Sequence, residues 1–367
     1  MKVLFLSMLI LTACSWRQKD FEKDLEKPVE ANPEVQVDDK LREKFEVKPV
    51  EPPAPAEAPK APEPEAKASE AKAPEAKAPE AKADKKVPPK APAKKTPPPA
   101  KATKTPSAPA EPAAKPLPKD YPPEFVKLNE KAQKVWDQYK PNHHQGQKIY
   151  LDIHYLGMTV GKILVQNLGK SMIGEKEVWH FHARFKSAPF YSNIYELDDN
   201  VNTYVTTDKF LSIKYSLIQR ESKQDIDDLQ LHDRDALQTH WFYHQKKSDG
   251  TKKEKKAEKP IPYFSTDPFS VLFFYQGLPL KNGDVYEIPV INKGKILLLR
   301  SKVEGREQLQ TEKGSYKAVR IHATTQYTGD HLKSGDLYFW FSDDPSRKLL
   351  KARAKIKIGS VTADMVE

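Results

Sequence analysis

The side chains able to do chemistry in this chain are few and poorly spaced for it. His180 and His182 stand two apart, so on a strand they share a face about 7 Å apart and could both reach one metal ion. A third ligand of matching spacing is missing, and a polar strand face shared with Arg184 is the simpler reading. His240 and His244 would suit a metal on a helix, but their run alternates like a strand, which separates them by about 13 Å. Asp343-Asp344 with Arg347 resembles an acid pair, yet Asp344-Pro345-Ser346-Arg347 is type I turn chemistry with proline in second place. Gly169-Lys170-Ser171 matches only the end of a phosphate loop, because Leu164 stands where its first glycine is required. There is no Gly-x-Ser-x-Gly elbow. These residues predict no enzyme, no metal and no cofactor.

One cationic row remains. Lys351, Arg353, Lys355 and Lys357 alternate with Leu350, Ala352, Ala354, Ile356 and Ile358 on what reads as the last strand, Leu349 to Ile358. Four cations would then line one face at about 7 Å intervals. They serve either as a solvated face guarding an edge strand, or as a ladder for phosphate or carboxylate groups of lipids and wall polymers.

The sole cysteine ends Leu11-Thr12-Ala13-Cys14, behind Lys2 and an apolar run from Val3 to Ile10 too short to span a bilayer. This junction resembles the lipobox of bacterial lipoprotein precursors. The resemblance implies that residues 1–13 are a removed signal peptide and that Cys14 carries a diacylglycerol thioether and an acylated amino group, with chains such as palmitate. Several chains anchor firmly, since each buried methylene adds about 0.8 kcal/mol. Ser15, in place of an aspartate resembling an inner-membrane retention signal, implies the outer membrane and a periplasmic-facing chain. With no second cysteine there is no disulfide, and the fold must hold by burial alone.

Composition then divides the chain. Residues 14–50 are polar, with isolated Trp16, Phe21 and Phe45, and read as a mostly disordered tether. Residues 51–118 contain no aromatic side chain and are almost entirely Ala, Pro, Lys and Glu, too little apolar surface to offset ordering entropy. Glu-Ala-Lys-Ala recurs with period five from Glu65 to Asp84, and the prolines between the repeats oppose a helix. As an extended spacer its 68 residues would reach roughly 210 Å. The net charge of +10 divides into −1 for residues 1–50, +4 for 51–118 and +7 for 119–367, of which four come from the stretch Lys246 to Lys259. No Arg/aromatic pattern of a nucleic-acid module accompanies it, so nucleic acid is not an expected partner.

Residues 119–367 are large enough for one sizeable core. Phe125, Leu128, Ala132, Val135, Trp136 and Tyr139 form one helical stripe over residues 122–139, with Pro122 and Pro123 at its start. From about residue 147 the period changes to two: Ile149, Leu151 and Ile153, then Trp179, Phe181, Ala183 and Phe185. Further strands read at Thr203 to Ile218, Leu237 to His244, Tyr286 to Ile291, Ile296 to Glu304, Tyr316 to Tyr327, Leu337 to Ser342 and Leu349 to Ile358. Asp267, Pro268 and Gly277 bound one short helix. The fold class is therefore mainly β, one antiparallel sheet curled toward a barrel, with an N-terminal helix and one short helix after a disordered linker.

Asp267-Pro268-Phe269-Ser270, Pro279-Leu280-x-x-Gly283, Gly305-Arg306-Glu307, Gly314-x-Tyr316, the run Gly335-x-Leu337-x-x-Trp340-x-Ser342-Asp343-Asp344-x-x-Arg347 and Gly359-Ser360-Val361 follow one another as landmarks. Together they resemble the bacterial envelope family called domain of unknown function 3108, from about Gln147 to the C-terminus. Lys246 to Lys259 reads as an insertion between two strands. The resemblance implies a secreted, mostly β domain without an established reaction. Two function classes follow. One is a membrane-anchored binding module for a lipidic or anionic envelope molecule; the other is a structural protein docking a periplasmic protein partner or the cell wall at the end of its spacer.

Overall fold

The computed structural model describes residues 21–27, 33–50, 117–327, 333–356 and 358–366. Cys14, residues 51–116 and Lys357 lie outside them, and with them the lipobox, nearly all of the expected linker and the last rung of the cationic row. The described chain begins with α1 (residues 21–26), α2 (Asp39–Lys44) and β1 (Val47–Pro49). After α3 (Pro123–Trp136) come β2 (Lys148–Tyr155), β3 (Met158–Ile173), β4 (Lys176–Ser187), β5 (Asp198–Thr206), β6 (Ser212–Glu221), β7 (Gln224–Asp233), β8 (Gln238–Lys247) and β9 (Lys252–Pro260). The short helix α4 (Val271–Phe274) precedes β10 (Val285–Asn292), β11 (Lys295–Thr311), β12 (Gly314–Tyr327), β13 (Lys333–Ser342), β14 (Leu349–Lys355) and β15 (Ser360–Met365).

Two meanders, β2–β9 and β10–β15, are joined edge to edge because β15 pairs with β2, so one antiparallel sheet runs from β10 through β15 and β2 to β9. The expected antiparallel β class holds, with the N-terminal and short helices in place, but the sheet does not close into a barrel. Its edges do not pair, for a local reason. Thr266 takes the free side of β10, accepting from Ile291 N at 2.8 Å and donating its own N–H to Pro289 O at 3.0 Å. Pro289 itself has no N–H to offer. At the other edge β9 carries five exposed lysines, which discourage further pairing.

Several boundaries differ from the periodicity reading. The expected strand Thr203 to Ile218 is two strands, parted at a turn in which Phe210 adopts a left-handed backbone (φ 54). Lys246 to Lys259 does not lie between strands but within them: Ser248-Asp249-Gly250 makes a tight turn and the lysines continue as paired β8 and β9. Leu349 to Ile358 is not the last strand either. β14 stops at Lys355, and β15 turns back through Gly359 (φ 79) to join the two meanders.

Side chains on one face of the sheet form the main core, against α3 and the segment from Phe269 to Leu280. Phe181 stacks on Phe273 with ring centroids 3.8 Å apart, and Tyr139 stacks on Phe274 at 4.9 Å. Asp267 fixes this plug. Its buried carboxylate accepts from the N–H groups of Phe269 and Ser270 at 3.0 and 2.9 Å, and from the hydroxyls of Ser212 at 2.6 Å, Ser270 at 2.8 Å and Thr203. The buried Arg234 guanidinium ties the approach to the plug, donating to carbonyls of Ser212, Tyr263 and Ser265. Gly277 lets plug and helix meet: a Cβ there would stand 2.3 Å from the Tyr139 ring and 2.5 Å from Lys140 O. The side of the sheet that could have held a ligand is thus filled by the protein's own aromatic rings.

Candidate functional site

On the opposite face of the sheet, the β2–β8 part is partly covered by residues ahead of the Pro/Ala/Lys/Glu segment. The expected tether is, over residues 21–27 and 33–50, part of the folded body. Asp38 caps α2 by accepting from Leu41 N at 3.1 Å, and Lys44 pairs with Asp233. β1 then adds to β3, with Val47, Lys48 and Pro49 opposite Ile173, Met172 and Ser171. Phe45 is the anchor: 4% exposed, it packs with Val178, Leu229, Leu231 and Phe242. Burying such a ring contributes about 1.5–3 kcal/mol. Leu25 of α1 is wholly buried against Tyr150, Leu164 and Val366. Arg184 donates to Asp24 O at 2.7 Å, satisfying a last-turn carbonyl, while its other nitrogens grip Asp198 at 2.8 Å.

Residues 33–49 form a strap across β5–β8, and the strap does not fit flush. A pocket of about 530 Å³ lies beneath it. Val35, Leu41 and Phe45 form its strap side, and Tyr204, Leu229 and Leu231 its sheet side. One cation reaches in from the sheet: Lys214, whose ammonium donates to Phe45 O at 3.3 Å and lies 5.9 Å from the Tyr204 ring centre. Burial lowers its pKa from the ordinary lysine value. Arg42 and Glu46 stand at the rim. Walls that are apolar at Val35, Leu41, Phe45, Leu229 and Leu231 and polar at Ser216, a volume in the small-molecule range and one desolvated ammonium suit an anionic head with an alkyl or aromatic body.

The cationic row is placed differently from a free ladder. Lys351 pairs with Asp364 at 2.6 Å, Lys355 with Asp336 at 3.1 Å, and Arg353 lies over Tyr338 at 4.7 Å. The pairing acids come from β15 and from the start of β13, so their approach depends on sheet register. His180 and His182 lie on the strap side of the sheet, as a polar strand face. His180 meets Asn202 at 2.8 Å and stacks on Tyr204, and His182 meets Gln166 at 3.0 Å. Burial drives the pKa of His182 down to about 4. Asp344 makes the expected turn, accepting from Ser346 N at 2.7 Å. No group of three His, Cys, Asp or Glu side chains placed to hold a metal occurs among the described residues. No described helix is long and apolar enough to cross a membrane.

The landmark motifs converge on architecture. Arg306 pairs with Asp343 at 2.8 Å and donates to Leu280 O at 3.2 Å, Arg347 holds the other oxygen of Asp343 at 3.0 Å, and Glu307 accepts from the Trp340 indole. These contacts clamp β11, β13 and the plug's exit together. The model of the family described as protein of unknown function, DUF3108, matches residues 151–366. The chain belongs to the DUF3108 family. No curated protein matches it. Among solved structures, a β-barrel-like protein of domain of unknown function DUF1849 from Brucella abortus is 10% identical, with TM-score 0.39, 60% of this chain and 95% of that one covered. A Parabacteroides distasonis structure described as a candidate lipoprotein shares 10% identity at TM-score 0.30, covering 62% of this chain and 97% of that one. A candidate exported protein with a YmcC-like fold from Bacteroides fragilis shares 9% identity at TM-score 0.29, covering 62% and 96%.

The strap was missed in the sequence although its marks are there. Val35 and Val37 alternate, Asp38 can cap, and Leu41 and Phe45 fall one helical turn apart. Five apolar residues in a polar stretch are too sparse to fold alone; only the sheet face supplies their partners.

Proposed function

We propose that this DUF3108 protein is a non-enzymatic outer-membrane lipoprotein of the periplasmic face, whose strap pocket binds a small anionic amphiphile of the envelope. The pocket carries the reading, because it joins the apolar side chains of Val35, Leu41, Phe45, Leu229 and Leu231 to the desolvated ammonium of Lys214 while the other side of the sheet is filled by its own plug. The cationic row is a weaker binding candidate, since Lys351 and Lys355 already hold carboxylates. The Leu11-Thr12-Ala13-Cys14 junction supports the anchor, and labelled fatty acid should enter the wild type and not Cys14→Ala. The pocket is tested by mass spectrometry of lipids extracted from natively purified protein, and by binding of palmitate and lysophosphatidylglycerol. Leu231→Trp, which fills the pocket, and Lys214→Met, which keeps the stem and removes the charge, should each lower binding at least tenfold. A clean extract with no binding of either probe overturns the reading.

A structural role has one observation of its own. Residues 51–116 leave from Val50 and return to Leu117, both on the same folded body. They therefore do not set the distance from anchor to domain. Seven residues lie between Cys14 and Glu22, so the eight steps reach at most about 28 Å. On this reading the body sits beside its membrane, and the Pro/Ala/Lys/Glu segment serves contact with a periplasmic partner or the wall.

A further inference from the structure

Three neighbouring turns of the sheet carry large apolar side chains into solvent. They are the β2–β3, β4–β5 and β14–β15 connections, adjacent because β14, β15, β2, β3, β4 and β5 lie side by side. Phe190 is 73% exposed, Ile194 71%, Ile358 70% and Leu156 64%, with Met158 and Ile356 close to half exposed. The turns touch one another. Tyr155 Oη donates to Ile358 O at 3.3 Å, the Leu156 side chain lies beside Gly359, and Tyr191 Oη meets Met158 Sδ at 3.2 Å. Residues 156–158, 188–195 and 356–359 include no Asp or Glu. Turns at the opposite strand ends are charged instead, with Glu175-Lys176, Asp208-Lys209 and Glu312-Lys313. Exposed Leu, Ile and Phe scattered singly need no explanation; six gathered on three touching tips at one end do.

The direction of α1 says what meets them. Glu22 lies 3.6 Å from Lys162, four residues from the β2–β3 tip, whereas Glu26 reaches Lys148 and Tyr150 farther along the strands. The helix therefore runs away from the apolar tips, and its first turn, the end from which the sequence leads back to Cys14, is the end nearer to them. We propose that this end of the sheet is a membrane-docking surface whose tips enter the interfacial layer of the leaflet holding the Cys14 acyl chains. The anchor supplies the nearness, and the tips fix which way the body faces. This goes beyond the strap-pocket reading and does not depend on it. Apolar side chains at the headgroup boundary add to a lipid anchor in the way that a second anchoring signal does.

The test removes the anchor, so that a failure of the lipobox reading is seen separately in the fatty-acid labelling. The mature-length chain, residues 15–367 without acyl groups, is floated with vesicles of phosphatidylethanolamine and phosphatidylglycerol. We expect measurable binding, lowered roughly tenfold or more by each of Phe190→Asp and Ile358→Asp, since burying one such side chain is worth about that factor. Phe190→Cys, then the only thiol, carries an environment-sensitive dye whose emission should shift blue on vesicles, while the same dye at Glu175→Cys should not shift. Three results each overturn the proposal: no vesicle binding by the wild type, binding indifferent to both substitutions, or self-association through the tips without vesicle binding.

Discussion

Replacing Phe45 by alanine should release the strap while leaving the sheet intact. Phe45 is 4% exposed, and its ring joins α2 and β1 to Val178, Leu229, Leu231 and Phe242. Phe→Ala in a core costs about 3–5 kcal/mol; the lower figure applies here, because the ring borders an existing pocket and its neighbours are less densely packed. The strap has few other anchors. β1 contributes only three register pairs, and the Lys44–Asp233 bridge is half exposed on the lysine side. A loss of about 3 kcal/mol raises the open population of the strap by roughly 100-fold. Hydrogen exchange followed by mass spectrometry reads this directly. Amides of residues 35–49 and of β3 from Ser171 to Ile173 should exchange about two orders of magnitude faster in the variant, with β12 and β13 unchanged. Wild-type residues 35–49 exchanging at unprotected rates, or a variant identical to wild type, would refute the packing argument.

Two further outcomes follow from the plug and its buried groups. Gly277→Ala places a methyl against the Tyr139 ring and Lys140 O, so urea unfolding should show a loss of about 1–3 kcal/mol; an unchanged midpoint would mean that α3 and the plug are not in contact. His143, buried between Tyr139 Oη at 2.7 Å and Gln276 Oε1 at 3.3 Å, has its pKa pushed down by burial to about 4. The folded state therefore keeps it neutral, and stability falls as pH drops from about 6.5 toward 4, where the unfolded chain takes up the proton, by about 3 kcal/mol in full. Asp199 and Asp228, raised to about 6 by burial, act the other way, gaining stability as pH falls through 6. His143→Leu isolates the histidine. Its stability deficit at pH 7.5 should shrink by about 3 kcal/mol at pH 4, and a gap that does not change with pH contradicts a neutral buried His143.

The legible parts of this molecule were the locally encoded ones. Alternation at Ile149, Leu151 and Ile153 or at Phe181 and Ala183 announced strands, and the stripe from Phe125 to Trp136 announced α3. Asp267 was visible as a cap, though not its five donors, which come from β5, β6 and the plug. What escaped was set by register and long-range contact. The acids that occupy Lys351 and Lys355 come from β15 and the edge of β13, and no spacing in the sequence joins them. The strap's apolar residues mean little until Leu229 and Leu231 stand opposite them. The gathering of Phe190, Leu156 and Ile358 exists only because β15 pairs with β2.

The most direct test of the account is a native digest of the chain. Trypsin has sites throughout the Lys-rich segment from Lys60 to Lys104, and cutting there severs residues 33–50 from the rest of the body. Native gel filtration should then show one species, in which the fragment bearing Phe21, Phe45 and Val47 co-elutes with the fragment bearing β2–β15. Its Lys40, Arg42 and Lys44 should remain uncut, and the fragment should be released only in urea. An N-terminal fragment that elutes alone, or is digested at those three residues, would return residues 14–50 to a loose tether and remove the strap and its pocket together.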